Sequence, residues 1–383
     1  MKYYPFGKPI LNSSRYLKDF QSILKSGRLV HGKNIEKFEN SFAKYTHAKS
    51  AISVSSCTTG MTLFYHSIGI KSGDEIILPS QTHVATAHAI TASGAKPIFI
   101  DSDKFSGNID LEKISKKITS RTKAITVVHY LGNPVDMEGV MTLAKKHNLF
   151  VLEDCALALG AKYKNKHVGL IGDAGFFSFY PVKHITTGEG GMIILNNTKY
   201  EKKLKKMRAF GYNKDLNQRS IPGFYDVDDF GFNFRMGEIN AAIGIRQLKD
   251  LDLFLKLRKK NYQFLSDNLK NIKNLRIIKH DYNKKFKSSF YCFTILLDNK
   301  IKYKRFEIME KMNNSGIGTS IYYPKPVPLL KYYKKLYNQK SSNYINARYF
   351  SDNSICLSVG PHLTLNNLKS MVRIIKNILK NYK

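Results

Sequence analysis

The chain has 383 residues, 43% hydrophobic and 12% aromatic, enough to bury a large core and too apolar for a disordered polymer. Its formal net charge is +33, but the 62 Lys and Arg residues are spread along the whole length and form no basic arm, RNP or zinc-finger pattern, so nucleic-acid binding is not expected. No apolar run approaches the roughly 18 residues of a membrane span, no signal peptide is visible, and the four cysteines have no CxxC or zinc spacing, so a cytoplasmic protein with reduced thiols, no metal and no membrane partner is expected.

Residues 34–48 carry Ile35, Phe38, Phe42 and Tyr45 at helical spacing and predict an amphipathic helix. Residues 51–55 read as a short buried strand. It runs into Ser56-Cys57-Thr58-Thr59-Gly60 and then a helix through Leu63, Phe64 and Ile68. A strand, small polar residues and a helix can cradle a phosphate on free N–H groups and the helix dipole. The same run also reads as an ordinary Ser/Thr N-cap. A turn at Ser72-Gly73-Asp74-Glu75 precedes a strand at 76–78 and a helix at 82–92. Strands at 97–100 and 124–129, a helix at 137–146 and a strand at 149–153 follow, the last closing on Asp154. This alternation predicts a mostly parallel sheet with right-handed crossovers. Ligands of such sheets gather at the carboxyl ends of the strands. Cys57, Thr58, His83, His129 and Asp154 all fall at or just after predicted strand ends.

Residues 176–191, FFSFYPVKHITTGEGG, place Lys183 between an apolar segment and a glycine-rich run. A lysine held out of bulk water has a lowered pKa and is more often a free nucleophile. That suits a Schiff base with an aldehyde cofactor. Then come a strand at 192–195, a lysine-rich helix at 200–208 and a Gly- and Asp-bearing loop up to Asp229. A long helical pattern starts at Glu238 and runs through Ile245, Leu248 and Leu251. A domain boundary is placed in it, near Asp250. It separates 1–249, an N-terminal arm and large α/β domain, from 250–383, a smaller α+β domain with a strand at 289–297, a helix at 303–313 and a final helix from Leu365.

A pyridoxal phosphate site needs an anion cradle, a carboxylate for the ring nitrogen and a lysine for the aldehyde. Thr58 with its neighbouring backbone, Asp154 and Lys183 are candidates for the three parts. The order and wording of the stretches SSCTTGMTL, SGDEIILPSQTHVATAHAI, VLEDCALALGAKY, GDAGFFSFYPVKHITTGEGGMI and GFNFRMGEINAAIGIRQL extend this nearly end to end. With them the chain resembles the sugar aminotransferases of the DegT/DnrJ/EryC1/StrS family, which are fold-type-I pyridoxal phosphate enzymes.

The resemblance implies a seven-stranded-type, mostly parallel sheet flanked by helices, with a smaller C-terminal domain. It implies pyridoxal 5'-phosphate, passing through the pyridoxamine 5'-phosphate form. It also implies an amino-acid donor, L-glutamate, and a nucleotide-linked 3- or 4-keto-6-deoxyhexose acceptor for surface glycan synthesis. Lys183 matches the Schiff-base lysine and Asp154 the partner of the pyridine nitrogen. Ser178, Cys57 and Thr58 match phosphate ligands, and His83 matches the ring that stacks on the cofactor. Asn233 matches an asparagine that reaches the neighbouring subunit's cofactor, which implies a homodimer with shared sites. His129 and Asn133 match a loop that lines the site. Two positions depart from the pattern. Leu157 stands beside the cofactor ring where Gln or His is usual, and His184 follows the lysine where Asn is usual. The branch with histidine in place of the lysine comprises nucleotide-sugar 3-dehydratases. Here Lys183 favours transamination over that reaction, over a cyclitol aminotransferase and over a basic non-catalytic binding protein.

Overall fold

The computed structural model describes residues 2–214, 220, 221, 223–280, 283–298 and 300–382. Of the loop read before Asp229, residues 215–219 and 222 lie outside the described residues. Seven strands form the central sheet: β1 (Ser50–Val54), β2 (Glu75–Pro79), β3 (Lys96–Ile100), β4 (Thr122–Val128), β5 (Phe150–Asp154), β6 (Ala174–Ser178) and β7 (Gly191–Leu195). Their spatial order is β1-β7-β6-β5-β4-β2-β3. The pairs β2–β3, β2–β4, β4–β5 and β5–β6 are parallel. Only β7 is reversed, lying antiparallel between β1 and β6. Every residue of β1, β2 and β7 is buried. Near-continuous burial is what a sheet covered on both faces requires of its strands.

The helix Lys33–Thr46 buries Ile35, Phe38 and Phe42 as one stripe. It lies on the long helix Glu238–Leu269 at Gly244, where a Cβ would come within 2.5 Å of the Phe38 ring. The Glu238 carboxylate caps the shorter helix, accepting from the N–H groups of Gly32, Asn34 and Ile35 at 3.0–3.1 Å. Phe38 and Phe42 in turn meet Phe179 and Phe177, with ring centroids 5.3 and 5.2 Å apart. This aromatic stack fixes the strand that leads to Lys183.

A second, antiparallel sheet follows: β8 (Leu275–Ile277), β9 (Phe293–Leu297), β10 (Thr319–Ser320) and β11 (Ser354–Leu357), in the order β8-β9-β11-β10. The helix Leu365–Lys380 lays Leu368, Met371, Val372, Ile375 and Leu379 into the same core. Along the long helix, residues up to Phe254 pack with the large sheet and residues from Tyr262 pack with the small one. Tyr4 also joins the small core. Its N–H donates to Gly316 O at 2.7 Å and its carbonyl accepts from Gly318 N at 2.9 Å. The first residues thus pack on the C-terminal body, and not with the large unit in which a division at 249/250 places them. The predicted strand 289–297 is shortened to Phe293–Leu297. Its first residues tie the two bodies together: Ser289 N donates to Gly132 O, and Phe290 has φ +50°. The helices Ser13–Ser26, Lys331–Tyr337 and Ile345–Asn353 were not expected from the sequence.

Candidate active site

Asp154 ends β5 and is 5% exposed. Its Oδ2 accepts from Thr86 Oγ1 at 2.8 Å and its Oδ1 from Ala156 N at 3.0 Å. Thr86 sits in the first turn of the helix Val84–Ala92, whose N-cap is His83. His83 Nδ1 accepts from Ala85 N at 3.2 Å, so capping fixes the ring. That ring meets Tyr323 edge-on at 5.6 Å. Burial lowers the His83 pKa, and the nearby Lys183 lowers it further against the pull of Asp154.

Lys183 lies in a closed loop after β6. Thr187 N and Thr186 Oγ1 both donate to Phe179 O, at 3.0 and 2.8 Å, and Asn240 Nδ2 donates to Thr187 O at 2.7 Å. Lys183 itself is half-buried, and its N–H donates to Tyr180 O at 2.9 Å. Desolvation lowers the amine's pKa, while the charges of Asp154 and Cys57 oppose that shift. The Cys57 thiol is pushed well above its ordinary value, first by burial and then by Asp154. It stays neutral.

Cys57 and Thr58 open the helix Cys57–Ser67. Ser56 caps it, accepting from Thr59 N at 3.1 Å. That cap leaves the N–H groups of Cys57 and Thr58 among the orphan donors of the first turn. The glycine-rich run presses on the same turn. A Cβ on Gly191 would lie 2.4 Å from Ser56 C and 2.5 Å from Cys57 N. Only a residue without a side chain lets β7 approach so closely. Ser178, half-buried at the end of β6, faces solvent-accessible space, with its Oγ accepting from Tyr180 N at 3.4 Å.

The structure thus brings Cys57, His83, Asp154 and Lys183 into one electrostatic neighbourhood. Three residues expected to line the site make other contacts. His129 is fully buried on the other face of the sheet. Its Nε2 meets Glu153 Oε2 at 3.0 Å and its Nδ1 accepts from Val135 N at 3.0 Å, so both nitrogens serve the fold. Asn133 is also fully buried, with its Nδ2 donating to Lys279 O at 3.4 Å. The His184 ring bonds Ser289 O through Nε2 at 3.1 Å. Burial, and next the charge of Arg258, hold its pKa well below the ordinary value. Leu157 is 2% exposed and packs in a cluster with Tyr130, Tyr291 and Cys292, bordered by Tyr322 and Tyr323. Asn233 is exposed, its backbone bridging to Ala209.

His129, Glu153 and Cys155 have metal-ligating atoms within 4.8 Å of one another. The nitrogens of His129 and the oxygens of Glu153 are already engaged, and the Cys155 thiol donates to Glu153 O at 3.5 Å. Glu153 accepts from the N–H groups of Gly169, Ile171 and Gly172, each at 2.7 Å. The cluster is a hydrogen-bonded knot between strands. Sequence reasoning missed Thr86, although it lies three residues after His83 on one helical face. It also missed Tyr291, Tyr322 and Tyr323 as residues near the site.

A desolvated amine beside a carboxylate that keeps lone pairs free, with a helix N-terminus alongside, fits the donor set that pyridoxal phosphate needs. The protein is a pyridoxal phosphate-dependent aminotransferase. It belongs to the DegT/DnrJ/EryC1/StrS aminotransferase family, which matches residues 12–376. It is 36% identical to a GDP-perosamine synthase of Escherichia coli O157:H7, over 85% of this chain and 86% of the relative. It is 36% identical to the UDP-4-amino-4,6-dideoxy-N-acetyl-beta-L-altrosamine transaminase of Campylobacter jejuni, over 85% of each. Among solved structures it is similar to Helicobacter pylori PseC, an aminotransferase involved in pseudoaminic acid biosynthesis. The TM-score is 0.92 at 30% identity, over 100% of both chains. Among the described residues no helix is long and apolar enough to cross a membrane.

Proposed function

We propose that the protein moves an amino group from L-glutamate to a nucleotide-linked 3- or 4-keto-6-deoxyhexose, in surface glycan synthesis. The observation that carries this reading is the placement of Lys183 in the loop after β6, beside the β5 end that carries Asp154, whose charge acts on the desolvated amine. Relatives named for GDP-linked and UDP-linked amino sugars support the substrate class.

When bound, pyridoxal phosphate supplies an aldehyde that condenses with amines and a protonated pyridine that accepts electrons from the substrate Cα. The chain's own residues supply the rest. Asp154 holds the proton on the pyridine nitrogen, and the Thr86 hydroxyl aims that carboxylate. Lys183 Nζ, as the free base, would take the proton from the substrate Cα, hold it as the ammonium and give it back later in the cycle. The N–H groups of Cys57 and Thr58 and the Ser178 hydroxyl hold the phosphate. The His83 ring covers one cofactor face, and Leu157 packs beside it without adding a polar contact. Apart from the first residues, which pack on the C-terminal body, 1–249 would carry the cofactor, with 250–383 as the smaller domain beside it.

Asn233 reaches the cofactor phosphate of a second copy. Its neighbours Phe224 and Phe230 are 72% and 68% exposed, an apolar surface that a homodimer would cover. Supplying L-glutamate with dTDP-, UDP- and GDP-linked keto sugars tests the reading. It requires 2-oxoglutarate and an amino sugar in equal amounts. Loss of a sugar hydroxyl without 2-oxoglutarate would instead make the protein a 3-dehydratase.

A further inference from the structure

Tyr291 is a side chain that the transamination chemistry leaves without a task. It stands at the entrance to β9 and is 3% exposed. Four separate contacts fix it. Its carbonyl accepts from Arg258 Nη1 at 2.8 Å. Its hydroxyl meets the Tyr322 hydroxyl at 2.7 Å. The His184 ring packs against its ring at 5.7 Å, and the Tyr322 ring stands edge-on at 5.3 Å. The fourth side of this frame is Lys183, whose Nζ lies 5.6 Å from the centre of the Tyr291 ring. An aromatic pinned by its backbone, its hydroxyl and two neighbouring rings has little freedom to withdraw from the amine.

Lys183 must alternate between a condensed state and a free amine that carries a proton for part of each cycle. In a desolvated site a free ammonium needs a partner. Asp154 attracts the amine through its charge, but among the described residues it makes no ion pair with Lys183 within 4 Å, and the proposed role ties it to the cofactor. The other groups facing Lys183 offer nothing to a cation. The Cys57 thiol is held neutral, and His83 and His184 can only be neutral or positive. The Tyr291 face remains, and an aromatic face within about 6 Å attracts a cation through its quadrupole.

We propose that Tyr291 is a positioning residue, whose ring face receives the Lys183 amino group whenever that amine is released. The proposal rests on Lys183 being the cofactor lysine. Arg258 acts one step further back, holding the Tyr291 carbonyl. His184 also gains a purpose where asparagine would give no ring: it backs the tyrosine. The proton inventory is simple. The face stabilises the ammonium and leaves the free base untouched, so it raises the fraction of Lys183 that is protonated at a given pH.

The test uses the full-length enzyme in its pyridoxamine phosphate form, in which the Lys183 amine is not condensed. The rate of acetylation of Lys183 by acetic anhydride is followed against pH by peptide mass spectrometry. Wild type and Tyr291→Phe should titrate together. Tyr291→Leu should titrate lower by about half a pH unit, roughly a threefold gain in reactivity below the midpoint. Pentafluorophenylalanine at position 291 keeps the shape, inverts the ring quadrupole and should shift in the same direction as leucine. It also guards against a leucine variant that fails to fold. Equal titration of all four proteins would overturn the proposal. So would a shift in Tyr291→Phe as large as in Tyr291→Leu, because the hydroxyl pair would then be responsible. Borohydride reduction of the pyridoxal phosphate form checks the underlying reading separately. If it labels a lysine other than Lys183, the assigned cofactor lysine fails, whatever Tyr291 does.

Discussion

Two carboxylates end the same strand and point to opposite faces of the sheet. Glu153 is fully buried and saturated: His129 and three backbone N–H groups fill its oxygens. Asp154, the next residue, accepts among the described residues from Thr86 and Ala156 alone. Burial alone would raise the Glu153 pKa. The hydrogen bond and charge of His129, with the N–H groups of Gly169 and Gly172, outweigh it and hold the carboxyl below its ordinary value. One face of β5 thus uses its acid to tie strands and loops together. The other keeps an acid partly unspent beside a desolvated lysine. What separates structure from chemistry here is saturation of the oxygens, because burial is nearly the same.

That contrast can be broken by mutation, and the largest effect belongs to the chemical face. Lys183→Ala should lower turnover by about a thousandfold or more, within the range expected for loss of a general base and nucleophile. Its fold, read by circular dichroism, should be unchanged. Asp154→Asn keeps the shape and removes the charge. It should lower kcat by about a hundredfold or more and weaken cofactor retention, measured by absorbance after gel filtration.

Glu153→Gln sharpens the comparison from the other side. It should destabilise the protein by roughly 3 kcal/mol, since one partner of a buried charged network is lost. The kcat of the folded fraction should stay within about threefold of wild type, as the residue touches no reacting atom. Acid should imitate this variant. The lowered Glu153 pKa means its stabilisation is complete above the ordinary value of 4.5 and is lost as pH falls through the folded value. Denaturant midpoints between pH 6 and 3 should therefore converge for wild type and Glu153→Gln. The smallest effect expected is at Cys57. Its raised thiol pKa predicts slow alkylation by iodoacetamide at pH 7. Cys57→Ser should change cofactor affinity by no more than a few-fold, because the backbone N–H is retained.

The sequence showed the alternation of strands and helices, and with it the strand ends where Cys57, His83 and Asp154 stand. Lys183 was legible because a glycine-rich run follows it, and Gly191 proves to be the close approach to the helix start at Cys57. The loop histidine is held apart from Asp154 for a physical reason. His129 lies at a strand end like Asp154, but the two-residue alternation of a strand and the pairing with Glu153 turn it to the other face. Tyr291 comes from the C-terminal body, held there by Arg258 and Tyr322, and meets Lys183 only after the two sheets pack. No local spacing reports such a contact. The small strands were missed because tertiary pairing, not pattern, defines them, whereas the N-terminal helix carries Tyr16, Phe20 and Ile23 at helical spacing and was overlooked.

The central claim is that Lys183 is the residue that binds the cofactor. The most direct measurement is to load the protein with pyridoxal phosphate, reduce it with borohydride and map the modified peptide by mass spectrometry. The account predicts one phosphopyridoxyl group per chain, on Lys183, and none when L-glutamate is added before reduction. Modification of a different lysine, or a protein that takes up no cofactor, would contradict it.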